Sequence, residues 1–188
     1  MTPSSVLLLL LQLCSLQLML VAMPTCHLQG TLVQEAHNLL RDLGTPFPVH
    51  CLPYNANISF PSSVFPAATA NHQQCRRALW VVYESLDKAG PIFNDEDHVP
   101  PVGEGGVNWD VKKLDDFKNV QDRLQEQGSC LSDVDTSGVL SPYFSNVTAV
   151  IEQENAACGW QALRRDLLWV LKSALQNHHK CFTWSRAH

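Results

Sequence analysis

This chain lacks a surplus of basic residues. Its 13 lysines and arginines are outnumbered by 18 acids, for a net charge of -5. A nucleic-acid binder usually concentrates lysine and arginine in a stripe, and none is present, so that class is set aside. No two cysteines are spaced Cys-x-x-Cys, which removes the zinc ribbon and the thioredoxin-like site. There is no Gly-x-Ser-x-Gly turn, no His-Glu-x-x-His and no glycine-rich phosphate loop. Serine, histidine and aspartate occur as in most chains, but nothing joins them as nucleophile, base and orienter. No stretch alternates apolar and polar residues like a half-buried strand. These absences point away from catalysis and imply no cofactor and no metal.

Long apolar runs are scarce as well. One exists, over 6–21, broken only by Gln12, Cys14, Ser15 and Gln17. It is short for a bilayer span, which needs about 20 residues. Small residues follow at Ala22 and Thr25. The run reads as a secretory signal over 1–23, cleaved near 22–25, although no lysine or arginine precedes it. No later segment has the length and apolarity to cross a membrane, so 24–188 is expected as one secreted, extracellular domain.

Removing the signal removes Cys14 and leaves Cys26, Cys51, Cys75, Cys130, Cys158 and Cys181. An even number in an exported chain reads as disulfides. Two glycosylation acceptors fit the same compartment, Asn57-Ile58-Ser59 and Asn146-Val147-Thr148.

What remains is helical rhythm. The clearest case is 156–176, where Trp160, Leu163, Leu167, Val170, Leu171 and Ala174 recur at helical spacing. Arg164, Arg165 and Lys172 are read as falling away from that stripe, with Leu168 and Trp169 on its edge. A first helix is expected over 32–43, capped by Thr31 and ended by Gly44. A second is expected over 74–89, stopped by Gly90-Pro91. A third covers 110–127, and a short fourth starts at Ser141-Pro142, a cap followed by proline in the first turn. Between the first two lies a proline-rich stretch, 45–72, too long for an ordinary loop. An overhand crossover between parallel helices accounts for it, because the chain must travel the length of a bundle. The fold expected is therefore all-α, an up-up-down-down four-helix bundle with a fifth helix and disulfide staples. The acidic loop containing His98 reads as solvated, and His178-His179 as favouring a helix dipole, rather than as metal ligands.

Helix length restricts the cysteine pairings. Cys158 and Cys181 flank the last helix and would lie roughly 30 Å apart, whereas a disulfide needs Cα atoms within about 7 Å. Cys26 and Cys51 flank the first helix and are excluded in the same way. In the overhand topology Cys51 and Cys158 share one end of the bundle and pair there. The other four share the opposite end, where three arrangements remain open.

Several stretches are similar to one family. Cys158-Gly159-Trp160 followed by Arg164 resembles the Cys-Ala-Trp segment that opens the last helix of type I interferons. Asn108-Trp109-Asp110 through Phe117, with Cys130 beyond, resembles that family's corresponding helix. Phe47-Pro48-Val49-His50-Cys51-Leu52-Pro53 resembles its fish branch. The resemblance implies bridges Cys26–Cys130 and Cys51–Cys158, which leaves Cys75 and Cys181 to form a third. It implies a monomeric antiviral cytokine that joins two chains of a class II cytokine receptor and starts JAK–STAT signalling. It also implies a receptor face on the crossover and last helix, matching Leu52, Arg164, Arg165, Leu168 and Trp169. One departure is Asn55, which stands where mammalian members carry an arginine.

Each of these residues has a plainer reading. Trp160 is read as core, Trp169 as receptor contact or partial burial, and the two arginines as a solvated face or a contact. Two alternatives stand beside this reading for the whole chain. One is a helical cytokine of the interleukin-10 or lambda-interferon type. The other is a secreted helical carrier of a small ligand, which requires a continuous internal cavity.

Overall fold

A computed structural model describes residues 26–68, 71–95, 107–134, 138–153 and 156–184. The expected signal over 1–23, the loop around His98 and the Asn57 side chain lie outside the described residues. Five α-helices carry the described fold: α1 Gly30–Arg41, α2 His72–Asn94, α3 Val111–Gly128, α4 Ser141–Ile151 and α5 Ala156–Asn177. Short 3-10 turns cover Val49–Asn57, Ser62–Val64, Ser129–Leu131 and His179–Cys181. Among the described residues, β pairing is confined to one isolated bridge between Gln29 and Thr183.

Three disulfides show how the helices run. Cys51, beyond the end of α1, joins Cys158 in the first turn of α5, with Cα atoms 5.2 Å apart. Cys26, before α1, joins Cys130, just past α3, at 5.8 Å. Cys75, in the first turn of α2, joins Cys181, beyond α5, at 5.1 Å. Thus α1 and α2 run one way while α3 and α5 run the other. Both α1 and α2 pack on α3 and α5, and α4 packs chiefly on α5. This is the up-up-down-down bundle with its long overhand connection.

The core is filled by the stripes read from sequence. All six apolar positions of α5 are buried. Trp160 sits at the centre, 5.6 Å from the Phe93 ring and 6.0 Å from Trp109, while Phe93 meets Phe117 edge-on at 5.4 Å. A carrier would hold its ligand in this space; here aromatic rings occupy it.

Three local expectations change. Thr31 does not cap α1, which starts one residue earlier at Gly30 and has no side-chain cap. Its first amides are served from elsewhere: Gly30 N–H donates to Thr183 O at 2.8 Å, and Gln29 N–H to Gln127 Oε1 at 3.1 Å. The C-terminal segment thus does the work of a cap. A Cβ at position 30 would run into the Trp184 ring, so any larger residue there would displace the indole.

Gly90-Pro91 does not stop α2, which continues to Asn94. Beyond the proline, Phe93 is buried in the core, a gain that offsets the lost ladder bond. One turn earlier, Leu86 O accepts from Gln121 Nε2 at 2.6 Å and Gln125 Nε2 at 3.3 Å. Finally, Ser141 is the first residue of α4 and not its cap, with Pro142 in the first turn.

Candidate functional site

The crossover runs along α5 from its start to its end. Phe47 lies under the Arg165 guanidinium, 5.1 Å from carbon to ring centre. Cys51 is tied to Cys158, and Ile58 O accepts from Arg165 Nη2 at 3.5 Å. Farther along, Phe60 and Phe65 contact Trp169 at 5.8 and 5.7 Å, and Phe65 stacks on His178 at 5.7 Å. Both segments of the expected receptor face are therefore adjacent.

Within it, the five expected contact residues separate. Leu52 is 57% exposed on the 3-10 turn, flanked by exposed Val49 and Tyr54. Trp169 is 40% exposed, its ring resting on Phe60 and Phe65. Leu168 is half-buried and lines an open groove of about 540 Å³ between α1 and α5, together with Gln34, His37, Arg41 and Lys172. Arg165 is half-buried, with Nε donating to Asp166 Oδ1 at 2.6 Å.

Arg164 corrects the sequence reading, which had it pointing away from the apolar stripe. It is 5% exposed. Its Nε donates to Leu40 O at 2.7 Å, Nη1 to Thr45 O at 2.6 Å, and Nη2 to Arg41 O at 2.7 Å and Gly44 O at 2.9 Å. The last carbonyls of a helix have no intrahelical partner, and a guanidinium presents five donors in a rigid fork. Arg164 therefore caps α1 from α5 and sets the path by which the crossover leaves it. Burial lowers its pKa from the ordinary arginine value, with Asp42 opposing, and the group stays charged. The signal was present in the sequence: position 164 follows Trp160 by four and precedes Leu167 by three, on the buried stripe.

Asp166 is a site residue that sequence reasoning missed. It is buried, and its Oδ2 accepts from the Tyr143 hydroxyl at 3.0 Å. Arg165, Asp166 and Tyr143 thus link the crossover, α5 and α4. Burial, then the Asp166 charge, pushes the Tyr143 phenol well above its usual value, so it remains a donor. Burial pulls Arg165 down, but the hydrogen bond and charge from Asp166 leave it raised overall. A carboxylate three residues after Leu163, on an apolar stripe, demands a buried donor; that spacing was the readable clue.

One group of metal-type side chains occurs among the described residues: His50, Cys51 and Cys158, with atoms within 4.8 Å of one another. The two sulfurs are bonded to each other, so no thiolates are available as ligands. Asn146 is exposed on α4.

Comparison with known proteins supplies the family. An interferon alpha/beta domain model matches residues 26–178. Among solved structures, zebrafish interferon 2 is similar, with a TM-score of 0.64 and 26% identity, covering 80% of this chain and 99% of that one. The comparison with curated proteins gives no match. From its helix order, filled core and interferon domain, this chain belongs to the interferon alpha/beta family and is a helical cytokine, not an enzyme.

Proposed function

We propose that the protein is exported by the signal over 1–23 and acts as a monomeric antiviral cytokine. It joins two chains of a class II cytokine receptor and thereby starts JAK–STAT signalling. One receptor chain binds the surface formed by Leu52, Arg165, Leu168 and Trp169. The observation that carries this reading is the exposure of Leu52, one residue from the Cys51–Cys158 bridge that ties its turn to α5, in a chain with an interferon domain. Exposed apolar residues held in one conformation bind at low entropic cost. Arg164 supports the face from beneath by fixing the crossover and does not contact the receptor. The second chain binds α2 and α3.

The test is a dose–response of STAT phosphorylation in responsive cells. A Leu52→Glu, Leu168→Glu double variant should need at least about tenfold more protein, the scale of losing one interface hot spot. Circular dichroism should show unchanged helix content. A folded double variant with the parent's potency would place the receptor elsewhere.

A further inference from the structure

We propose that Asn146 carries an N-linked oligosaccharide, and that it borders, on the α4 side, the surface that takes the first receptor chain, confining that chain to the α1 side. This rests on the reading of the chain as an exported receptor ligand. Asn146-Val147-Thr148 satisfies the acceptor pattern, and Asn146 is exposed while Val147 is fully buried. Three consecutive helical residues point in three directions. A transferase must engage asparagine and threonine together, so it acts before Val147 packs. The nascent chain allows this, because α4 has 11 residues and helices shorter than about 12–15 residues are marginal alone.

After folding, the helix determines where the sugar stands. Asn146 follows Tyr143 by three residues and shares its flank. The Tyr143 ring meets Phe60 of the crossover at 5.1 Å, and Phe60 meets Trp169 at 5.8 Å. Across the surface the order is α4 with its sugar, then the crossover, then Trp169, then the Leu168 groove against α1. The opposite flank of α4, with Ser141, Thr148 and Glu152, lines a separate groove against α2. The sugar therefore stands on the flank of α4 nearer the crossover, away from that second groove. A branched, hydrated polysaccharide excludes a protein partner from its surroundings, leaving the groove beside His37 and Lys172 open for docking.

The full chain would be expressed in vertebrate cells, collected from the medium and treated with peptide N-glycosidase in heavy-oxygen water. Asn146 should convert to labelled aspartate, and N146Q and Thr148→Ala should each lower the mass by one glycan. N146Q should keep STAT potency within about threefold of the parent, less than an interface hot spot would cost. Enzymatic deglycosylation of the folded parent gives the same reading should N146Q fail to fold. Unmodified Asn146 in the secreted protein would overturn the proposal. So would a folded N146Q that loses tenfold or more in potency, since the receptor would then reach the α4 side. A protein labelled at Asn146 that evokes no STAT response would leave the modification standing. It would remove the receptor reading, and with it the border.

Discussion

At the scale of single residues, two kinds of polar group, buried or half-buried, do different work. Arg164 spends four hydrogen bonds on carbonyls of the α1 end and the crossover. Arg164→Ala leaves those carbonyls in a poorly solvated place, at about 1–3 kcal/mol for each that stays unpaired. A loss of at least about 3 kcal/mol is expected by urea denaturation, with faster amide exchange at the start of the crossover. Arg164→Lys should recover only part of it, because an ammonium lacks the planar fork. A change under about 1 kcal/mol for the alanine variant would refute the capping role. His37 and His178 behave differently. Burial lowers both imidazoles from the ordinary value of 6.5, and Arg41 and Lys172 add to the lowering at His37. The native state therefore binds fewer protons than the unfolded chain near that pH. Their contribution is fully present above about 6.5 and is lost as pH falls through the folded-state values. Urea midpoints should drop between about pH 7.5 and about pH 5, and less steeply in His178→Gln. Equal slopes in parent and variant would remove His178 from the account.

At the scale of elements, helix existence was legible and helix ends were not. The stripes of α2, α3 and α5 recur at 3.6-residue spacing and became the core without exception on α5. The ends failed where distant groups intervened: Thr183 and Gln127 at the start of α1, and Phe93 beyond Pro91. Local signals such as Thr31 or Gly90-Pro91 report only what neighbours in sequence offer. The Tyr143–Asp166 link was hidden for the same reason, since periodicity marks a stripe without saying which partner crosses it. Gly159 shows an element contact of this kind. The related Cys-Ala-Trp motif has alanine at that place, yet here a Cβ would lie 2.7 Å from Ile151 Cγ1 and 2.9 Å from its backbone nitrogen. The end of α4 comes against α5 at this glycine. Helix propensity alone would make Gly159→Ala stabilising by about 1 kcal/mol. Overpacking against backbone costs about 1–3 kcal/mol, so a net loss is expected in thermal or urea unfolding. A gain would mean that α4 can shift without cost.

At the scale of the whole molecule, the three bridges span nearly equal lengths of chain, with separations of 104, 107 and 106 residues. Chain entropy therefore assigns each about the same nominal stabilisation, about 4.7 kcal/mol. What distinguishes them is what each holds in place. Cys51–Cys158 is buried and fixes the turn that displays Leu52. Cys75–Cys181 ties α2 to a C-terminal segment that has other anchors: buried Phe182, the Thr183 bonds to Leu28 and Gly30, and Trp184 over Gly30. Opening the second bridge should cost stability, up to about 5 kcal/mol, while leaving the segment docked. Opening the first should also release the receptor-facing turn. The expected result is that Cys75→Ser, Cys181→Ser lowers the melting temperature yet signals within a few-fold of the parent, when assayed well below its unfolding transition. Cys51→Ser, Cys158→Ser should lose potency under the same conditions even while its helix content persists. Equal loss of signal from both pairs would mean that the bridges act through global stability alone. It would also remove the special place given to the Leu52 turn.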